Sequence, residues 1–239
     1  MDVKITAIVL AAGQGRRMNT KIAKQFLTLK DKPVIYYSLK AFEDSNVDEI
    51  ILVTGEEQLE YCREEVVKRY QFKKVTKVIE GGNERYDSVF KALMEVGTTD
   101  YVLIHDGARP FISQKLIQEV INRVVVDKAC ILGTPVKETI KVADASGFIT
   151  ATPNRNTLWS AQTPQAFIFS SIKDAYEKFY QEKEKEKLGI TDDAMVYEAY
   201  QKKPVKIILG DYHNIKLTTP EDLMLAERII NQILCEYNI

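Results

Sequence analysis

Apolar residues gather along this chain in short unbroken runs, not in strict alternation. Stretches 6–10, 49–54, 74–79, 101–105, 129–135 and 205–209 are rich in Val, Ile and Leu with few polar interruptions. Runs of this length that are apolar throughout predict strands buried on both faces, as in a parallel sheet covered by helices. Between them the apolar period lengthens to that of a helix. Pro33 opens 34–42, while 56–70 places Leu59, Cys62, Val66 and Val67 together. Stretch 83–96 aligns Val89, Ala92, Leu93 and Val96, and Ser113 stands as a cap before 114–126. Thr219-Pro220-Glu221-Asp222 begins a last helix, with a cap, a proline at the first position and acids in the first turn. Strands alternating with helices of this length predict βαβ units, so the fold class is α/β.

One segment breaks the rhythm. From 136 to 162 no long helical pattern appears, and 139–142 and 148–152 flank the turn-rich link Ala143-Asp144-Ala145-Ser146-Gly147. This predicts a hairpin, an inserted arm over 136–160 with two edges to cover, either a plain surface hairpin or one that pairs with another subunit. The KEKEK run at 183–187 reads as a solvated helix surface.

Composition narrows the classes. The chain has 239 residues, 33 Lys+Arg against 34 Asp+Glu, 45% hydrophobic and 28% charged residues. That suits a folded protein, here read as one domain over 1–239, and not a disordered one. The net charge of −1 removes the broad basic footprint of a nucleic-acid binder, so any cations that matter must be local. Cys62, Cys130 and Cys235 are far apart and form no C-x-x-C pair, which predicts reduced structural thiols. The apolar run 5–12 is too short to span a membrane, and Gly13, Gly15 and two arginines follow where a signal-peptide cleavage site would stand. The expectation is a soluble, cytoplasmic protein that engages neither membrane nor nucleic acid.

The first predicted strand runs into AAGQGRRM (11–18). Glycines after a buried strand let backbone N–H groups approach an anion. A P-loop would need Gly-Lys-Ser/Thr, which is missing. A dinucleotide loop would need glycine where Met18 stands and an acid near the end of the second strand, which closes on Val53-Thr54 instead. A third type places Arg and Lys in the loop itself, suiting a triphosphate, and Arg17 and Lys24 follow closely. Asp106 ends the fourth strand, on the ligand edge of a parallel sheet, where it serves either as a turn residue or as the single carboxylate of a nucleotide-bound magnesium. His105, with His213 as the other histidine of the chain, is read as structural. Three more stretches are each either a turn or a ligand contact. They are the paired glycines of 81–88 before a helix, the polar proline turn at 162–165, and 214–218 with a lysine and a threonine.

Taken together, AAGQGRRM (11–18), KQF (24–26), GGNERYDSV (81–89), HDGARP (105–110), NRNTLW (154–159), QTPQAF (162–167), TDDA (191–194) and NIKLTTPEDL (214–223) resemble the 2-C-methyl-D-erythritol 4-phosphate cytidylyltransferases of non-mevalonate isoprenoid synthesis. These belong to the glycosyltransferase-A-like nucleotidyltransferases. Ala23 stands where the family usually has Pro, and Gly107 where it usually has Ala. The resemblance implies a Rossmann-like three-layer sandwich with a mostly parallel sheet and an inserted β-hairpin arm. It implies transfer of a cytidylyl group from CTP to a sugar-alcohol phosphate, with Mg2+ as cofactor, in a homodimer joined through the arm. Arg17, Lys24 and Lys216 would be catalytic. Ala11, Ala12, Gly13, Gly15, Gly81, Gly82, Arg85, Ser88 and Asp106 would hold the nucleotide, with Asp106 on the metal. Arg109, Thr139, Arg155, Thr163, Thr191, Lys216 and Thr218 would hold the acceptor. A ribitol-5-phosphate cytidylyltransferase shares fold and chemistry, but Asp192-Asp193-Ala194 favours the methylerythritol enzyme. An NAD-binding α/β protein and a non-catalytic relative are the remaining alternatives.

Overall fold

The computed structural model describes residues 3–13, 23–183 and 188–236. Its strands are β1 (Ile5–Ala11), β2 (Thr28–Leu29), β3 (Lys32–Pro33), β4 (Glu49–Thr54), β5 (Val75–Glu80), β6 (Tyr101–Asp106), β7 (Ala129–Pro135), β8 (Val142–Ala143), β9 (Ile149–Ala151), β10 (Trp159–Ile168) and β11 (Lys206–Leu209). The helices are α1 (Val34–Glu43), α2 (Leu59–Tyr61), α3 (Arg85–Glu95), α4 (Gln114–Asp127), α5 (Phe169–Gln181), α6 (Asp193–Gln201) and α7 (Pro220–Glu236).

Seven strands form one sheet in the order β11-β7-β10-β6-β1-β4-β5. All its pairings are parallel except those of β10, which runs antiparallel between β6 and β7. β1 shows why the apolar runs were continuous. Ile5, Ala7, Val9 and Ala11 enter one core with α1 and α4, while Ile8 and Leu10 enter the other with α3, α5 and α6. A third cluster seats α7, through Ala226, Ile229 and Ile230, together with Leu217 just before it, on Leu29, Val34 and Phe111. The α/β three-layer expectation holds.

The chain leaves β1 toward β4 and β5, then returns to place β6 on the other side of β1. The carboxyl ends of β1 and β6 therefore flank the point where strand order reverses, which is where α/β sheets open a ligand crevice. Asp106 pairs in register with Leu10 at this edge. At Gly107 a Cβ would lie 2.5 Å from Ile35 Cδ1 and 2.9 Å from the Leu10 carbonyl oxygen, so the backbone turns there without room for a side chain.

Three differences from the sequence expectation stand out. The polar turn expected at 162–165 lies inside β10, whose register with β7 shifts between Gln162 and Gln165. Pro164 sits in that irregularity, where a ladder N–H is not needed. The polar side chains around it are buried and hydrogen-bonded within the protein, so a stretch that looks like a surface turn is central. The helix expected over 56–70 is broken into a 3-10 turn (Glu56–Gln58), α2 and a wider π-helical stretch (Cys62–Lys68) that still buries Cys62 and Val66. The hairpin is present, but its ladder is short, β8 against β9. Of the KEKEK run, Lys183 follows the end of α5, and 184–187 lie outside the described residues. Cys62 and Cys130 are free and buried, and burial pushes their thiols up to about 11 and about 12; the side chain of Cys235 lies outside the described residues.

Candidate active site

Asp106 is the centre of the ligand edge. Its carboxylate is almost wholly buried, with Oδ1 accepting from Arg85 Nε at 3.0 Å and Oδ2 from Lys216 Nζ at 2.7 Å. Burial pushes the carboxyl up, but Arg85, Lys216 and Arg109 outweigh it and hold Asp106 far below the usual carboxylate range. It is therefore held as an anion at neutral pH.

Each cation is placed by a different element. Arg85 is the first residue of α3, whose entry is fixed by a reciprocal cap between Glu84 and Asp87. Its guanidinium also takes the Asp193 carboxylate, with Nη1 to Oδ1 at 2.9 Å and Nη2 to Oδ2 at 2.8 Å. Burial works against the charge on Arg85, and Asp193 and then Asp106 more than restore it. Lys216 is held from behind, because the Leu217 N–H donates to the Ala108 carbonyl at 2.9 Å. Wholly buried Asn214 anchors the same segment, donating to the Thr163 carbonyl at 3.0 Å and to Gln162 Oε1 at 3.3 Å. Arg109 donates to the carbonyls of Asn214 at 2.7 Å and Ala161 at 3.4 Å. It thereby clamps β10 to the Lys216 segment.

His105 sets the proton order behind these groups. The Arg109 carbonyl can only accept, so His105 Nε2 carries the proton across their 3.2 Å contact. Nδ1 is then the acceptor for the Thr163 hydroxyl at 3.1 Å, and Thr163 Oγ1 accepts from the Asp106 N–H at 3.0 Å. Burial lowers the imidazole to about 4. In the unfolded chain histidine protonates near 6.5, so the unfolded state binds the extra proton first as pH falls. The shift therefore adds nothing above pH 6.5 and becomes a penalty on the fold that grows as pH falls from 6.5 through 4. Its size is about 3 kcal/mol. Urea unfolding in metal-free buffer should show this slope, and His105→Gln should be weaker at pH 7 yet flatter between pH 6.5 and 4. A variant with the full wild-type slope would show that His105 is not its source.

A polar cavity of about 190 Å³ opens onto this cluster. Of the residues predicted from sequence, Arg85, Asp106, Arg109, Thr163, Thr191 and Lys216 line it together. A second group lies where β1 and β5 end. A Cβ on Gly81 would stand 2.5 Å from Ala12 Cβ and 2.6 Å from Ser88 Oγ, so these three pack face to face, and Gly82 N–H donates to Ser88 Oγ at 3.0 Å. Ala11 closes β1 opposite Thr54. The Gly13 carbonyl accepts from Gln25 Nε2 at 3.2 Å, and buried Lys24 starts the neighbouring 3-10 turn (Lys24–Phe26). Gly15 and Arg17 lie outside the described residues.

Three predicted residues are elsewhere. Thr139 and Arg155 sit exposed on the arm, Arg155 donating to the Lys137 carbonyl at 3.1 Å. Thr218 donates its hydroxyl to Asp222 at 2.8 Å and so helps to cap α7. Sequence reasoning passed over Gln165, whose Oε1 accepts from the N–H groups of Asp193 and Ala194 at 3.0 Å each, while Nε2 donates to Asp192 at 2.8 Å. It also missed Asn214 and Tyr176. The signal available was the density of polar residues inside apolar surroundings at 162–165 and 214, which marks hydrogen-bonded interior groups as readily as a turn. Among the described residues no group of three or more His, Cys, Asp or Glu gathers to hold a metal. Three fixed cations around one carboxylate instead suit the neutralisation of phosphate groups.

Comparison with known proteins agrees with that chemistry. The family model described as 2-C-methyl-D-erythritol 4-phosphate cytidylyltransferase (IspD) matches residues 5–232. A protein of that name from Lachnospira eligens is 53% identical over 222 residues, covering 92% of this chain and 96% of its own. Another from Lachnoclostridium phytofermentans is 50% identical over 231 residues, covering 96% and 97%. The crystal structure of 4-diphosphocytidyl-2C-methyl-D-erythritol synthase from Anaerococcus prevotii superposes with a TM-score of 0.83 at 32% identity, over 96% of each chain.

Proposed function

Because this chain belongs to the 2-C-methyl-D-erythritol 4-phosphate cytidylyltransferase family, we propose that it transfers the cytidylyl group of CTP to 2-C-methyl-D-erythritol 4-phosphate, giving the CDP-linked alcohol and pyrophosphate. The observation that carries the reading within the site is the convergence of Arg85 and Lys216 on Asp106 at the strand-order reversal.

In this reaction an oxygen of the acceptor phosphate attacks the α-phosphorus of CTP, and the bond to the pyrophosphate oxygen breaks. The nucleophile is a phosphate monoester, largely ionised at pH 7 because its second pKa is near 6, so the reaction asks for no general base. The protein's task is to hold two polyanions in line and to stabilise charge on the α-phosphate and the departing pyrophosphate. We assign the latter to Arg17, Lys24 and Lys216. The Ala12, Gly81 and Ser88 group is suited to the nucleoside, where small residues let a flat base approach the backbone. We assign the acceptor to Arg109, Thr163 and Thr191, which line the cavity.

Asp106 fits magnesium. It is a carboxylate held ionised at neutral pH on the cavity wall, and each oxygen retains a lone pair beyond its cation. Bound there with the triphosphate, the ion would supply neutralising charge across the phosphate oxygens. We assign dimer formation to the arm, where Phe148 is 73% and Ile149 63% exposed. Thr139 and Arg155 then belong to a site completed by a second copy of the chain; a fully active monomer in sedimentation would remove that assignment. The net charge of −1 argues against nucleic acid as a partner. The reduced, buried thiols and the lack of a helix among the described residues long and apolar enough to cross a membrane support a cytoplasmic location.

The test is pyrophosphate release with CTP, magnesium and either acceptor. Release with methylerythritol phosphate is expected. Release with ribitol phosphate alone would transfer the assignment to the sister activity, and release with neither would overturn it.

A further inference from the structure

We propose that Asp193 is a positioning residue for the reaction, holding the Arg85 fork so that Arg85 meets Asp106 through Nε alone and leaves the second Asp106 oxygen to Lys216. The proposal rests on the cytidylyltransferase reading above. Asp193 is wholly buried at the start of α6 and does not line the cavity. Its carboxylate takes both terminal nitrogens of Arg85, at 2.9 and 2.8 Å, and the Tyr176 hydroxyl at 2.6 Å. Gln165, from β10, pins its backbone N–H. So α3, α5, α6 and β10 all contribute to fixing a single guanidinium.

An ion pair this deep is poor value as a stabiliser, since desolvating both charges consumes most of the Coulombic gain. What it does supply is geometry. A guanidinium fork prefers two parallel bonds to one carboxylate. Arg85 has two carboxylates within reach, and Asp193 takes the fork. If Asp193 lost its charge, the fork would turn to Asp106 and compete with Lys216 for Oδ2, where Lys216 now sits at 2.7 Å. The cation assigned to the reacting phosphates would be displaced with no change in net ligand-binding charge at the cavity wall.

The experiment is a double-mutant cycle on the full-length enzyme, with kcat and KM for CTP measured per folded molecule. Asp193→Asn is expected to lower kcat roughly 10- to 100-fold, the scale of an ångström-sized misplacement, with KM for CTP within about threefold of wild type. Because Asp193 acts through Arg85, the Asp193→Asn, Arg85→Gln double variant should match Arg85→Gln alone within about twofold. A residue that merely supports folding would lower the folded fraction and leave kcat per folded molecule unchanged. Tyr176→Phe removes one hydrogen bond to Asp193 and no charge; it should lower kcat about two- to fivefold and keeps the test open if Asp193→Asn does not fold. Unchanged kcat in the folded variants, or losses that multiply in the double variant, would overturn the proposal. Wild-type enzyme that releases no pyrophosphate would instead sink the functional reading itself.

Discussion

Asp106→Asn is expected to lower kcat by about a hundred- to thousandfold, the loss typical of removing one preorganised electrostatic group from an active site. The substitution keeps shape and volume but turns an acceptor oxygen into an NH2 facing a cation. Lys216 Nζ at 2.7 Å and Arg85 Nε at 3.0 Å then meet a neutral group, and their mutual repulsion is no longer balanced between them. Stability should fall as well. Breaking a buried pair by removing one partner costs about 3–5 kcal/mol, and the lower end applies because Lys216 is 36% exposed. The sign with pH follows from the depressed carboxyl. Asp106 stabilises the folded state above the unfolded carboxyl value of 3.8 and loses that contribution as pH falls below it. Wild type and variant should therefore converge in acid. Steady-state pyrophosphate release, normalised to folded protein by circular dichroism, checks the first claim, and denaturant midpoints at pH 7 and pH 3 check the second. Turnover within tenfold of wild type would remove Asp106 from the centre of the site.

Lys216→Ala is expected to lower kcat by about a hundredfold, with a smaller loss of stability than Asp106→Asn. Its removal takes one of two direct partners from the buried Asp106 carboxylate, but its ammonium was partly exposed at the cavity and Arg85 still covers Asp106. The effect falls on kcat because a cation resting on Asp106 in the free protein must exchange that partner for the phosphates as negative charge shifts toward the leaving group, an interaction gained in the transition state. Lys216→Arg restores the charge but not the compact point geometry, and should recover less than the whole loss. Should Lys216→Ala raise KM for the acceptor and leave kcat unchanged, Lys216 would be a ground-state binder of the acceptor phosphate.

The two variants separate because the two residues differ in burial, and nothing in the sequence states that difference. The chain reads HDGARP at 105–110, closing the fourth predicted strand, and NIKLTT at 214–219, leading into the last helix, and both carry charged residues at the end of an element. That Asp106 is nearly inaccessible while Lys216 reaches solvent follows from strand order. β6 is an interior strand, and the Lys216 segment crosses its end from outside the sheet, on the Ala108 carbonyl.

Much of the architecture was legible locally. Continuous apolar runs located six of the seven sheet strands to within a residue or so; for β1, β4, β6 and β7 the reason is burial on both faces, while the edge strands β5 and β11 are partly exposed. Ser113 capped α4 as expected, its hydroxyl accepting from the Leu116 N–H. β10 escaped the same logic. Gln162, Thr163, Pro164 and Gln165 have the composition of a turn, and their polar atoms are matched by partners up to 58 residues away in sequence, such as His105 and Asn214. Hydrogen bonds between distant segments leave no periodic trace.

The sequence alone determined the α/β class, the run of strands and helices, and a short set of cations and one carboxylate whose order along the chain matched a cytidylyltransferase. Those features rest on burial and backbone propensity, which act over a few neighbouring residues. Only the tertiary structure decided that Arg85, Arg109 and Lys216 meet around Asp106, that Thr163 donates a hydrogen bond to His105, and that Asp193 holds Arg85 from behind. Such arrangements depend on which strand ends the folded sheet brings within about 3 Å of one another. That is set by crossover connections and strand order, where residues 108 positions apart, as Arg85 and Asp193 are, become hydrogen-bonded neighbours.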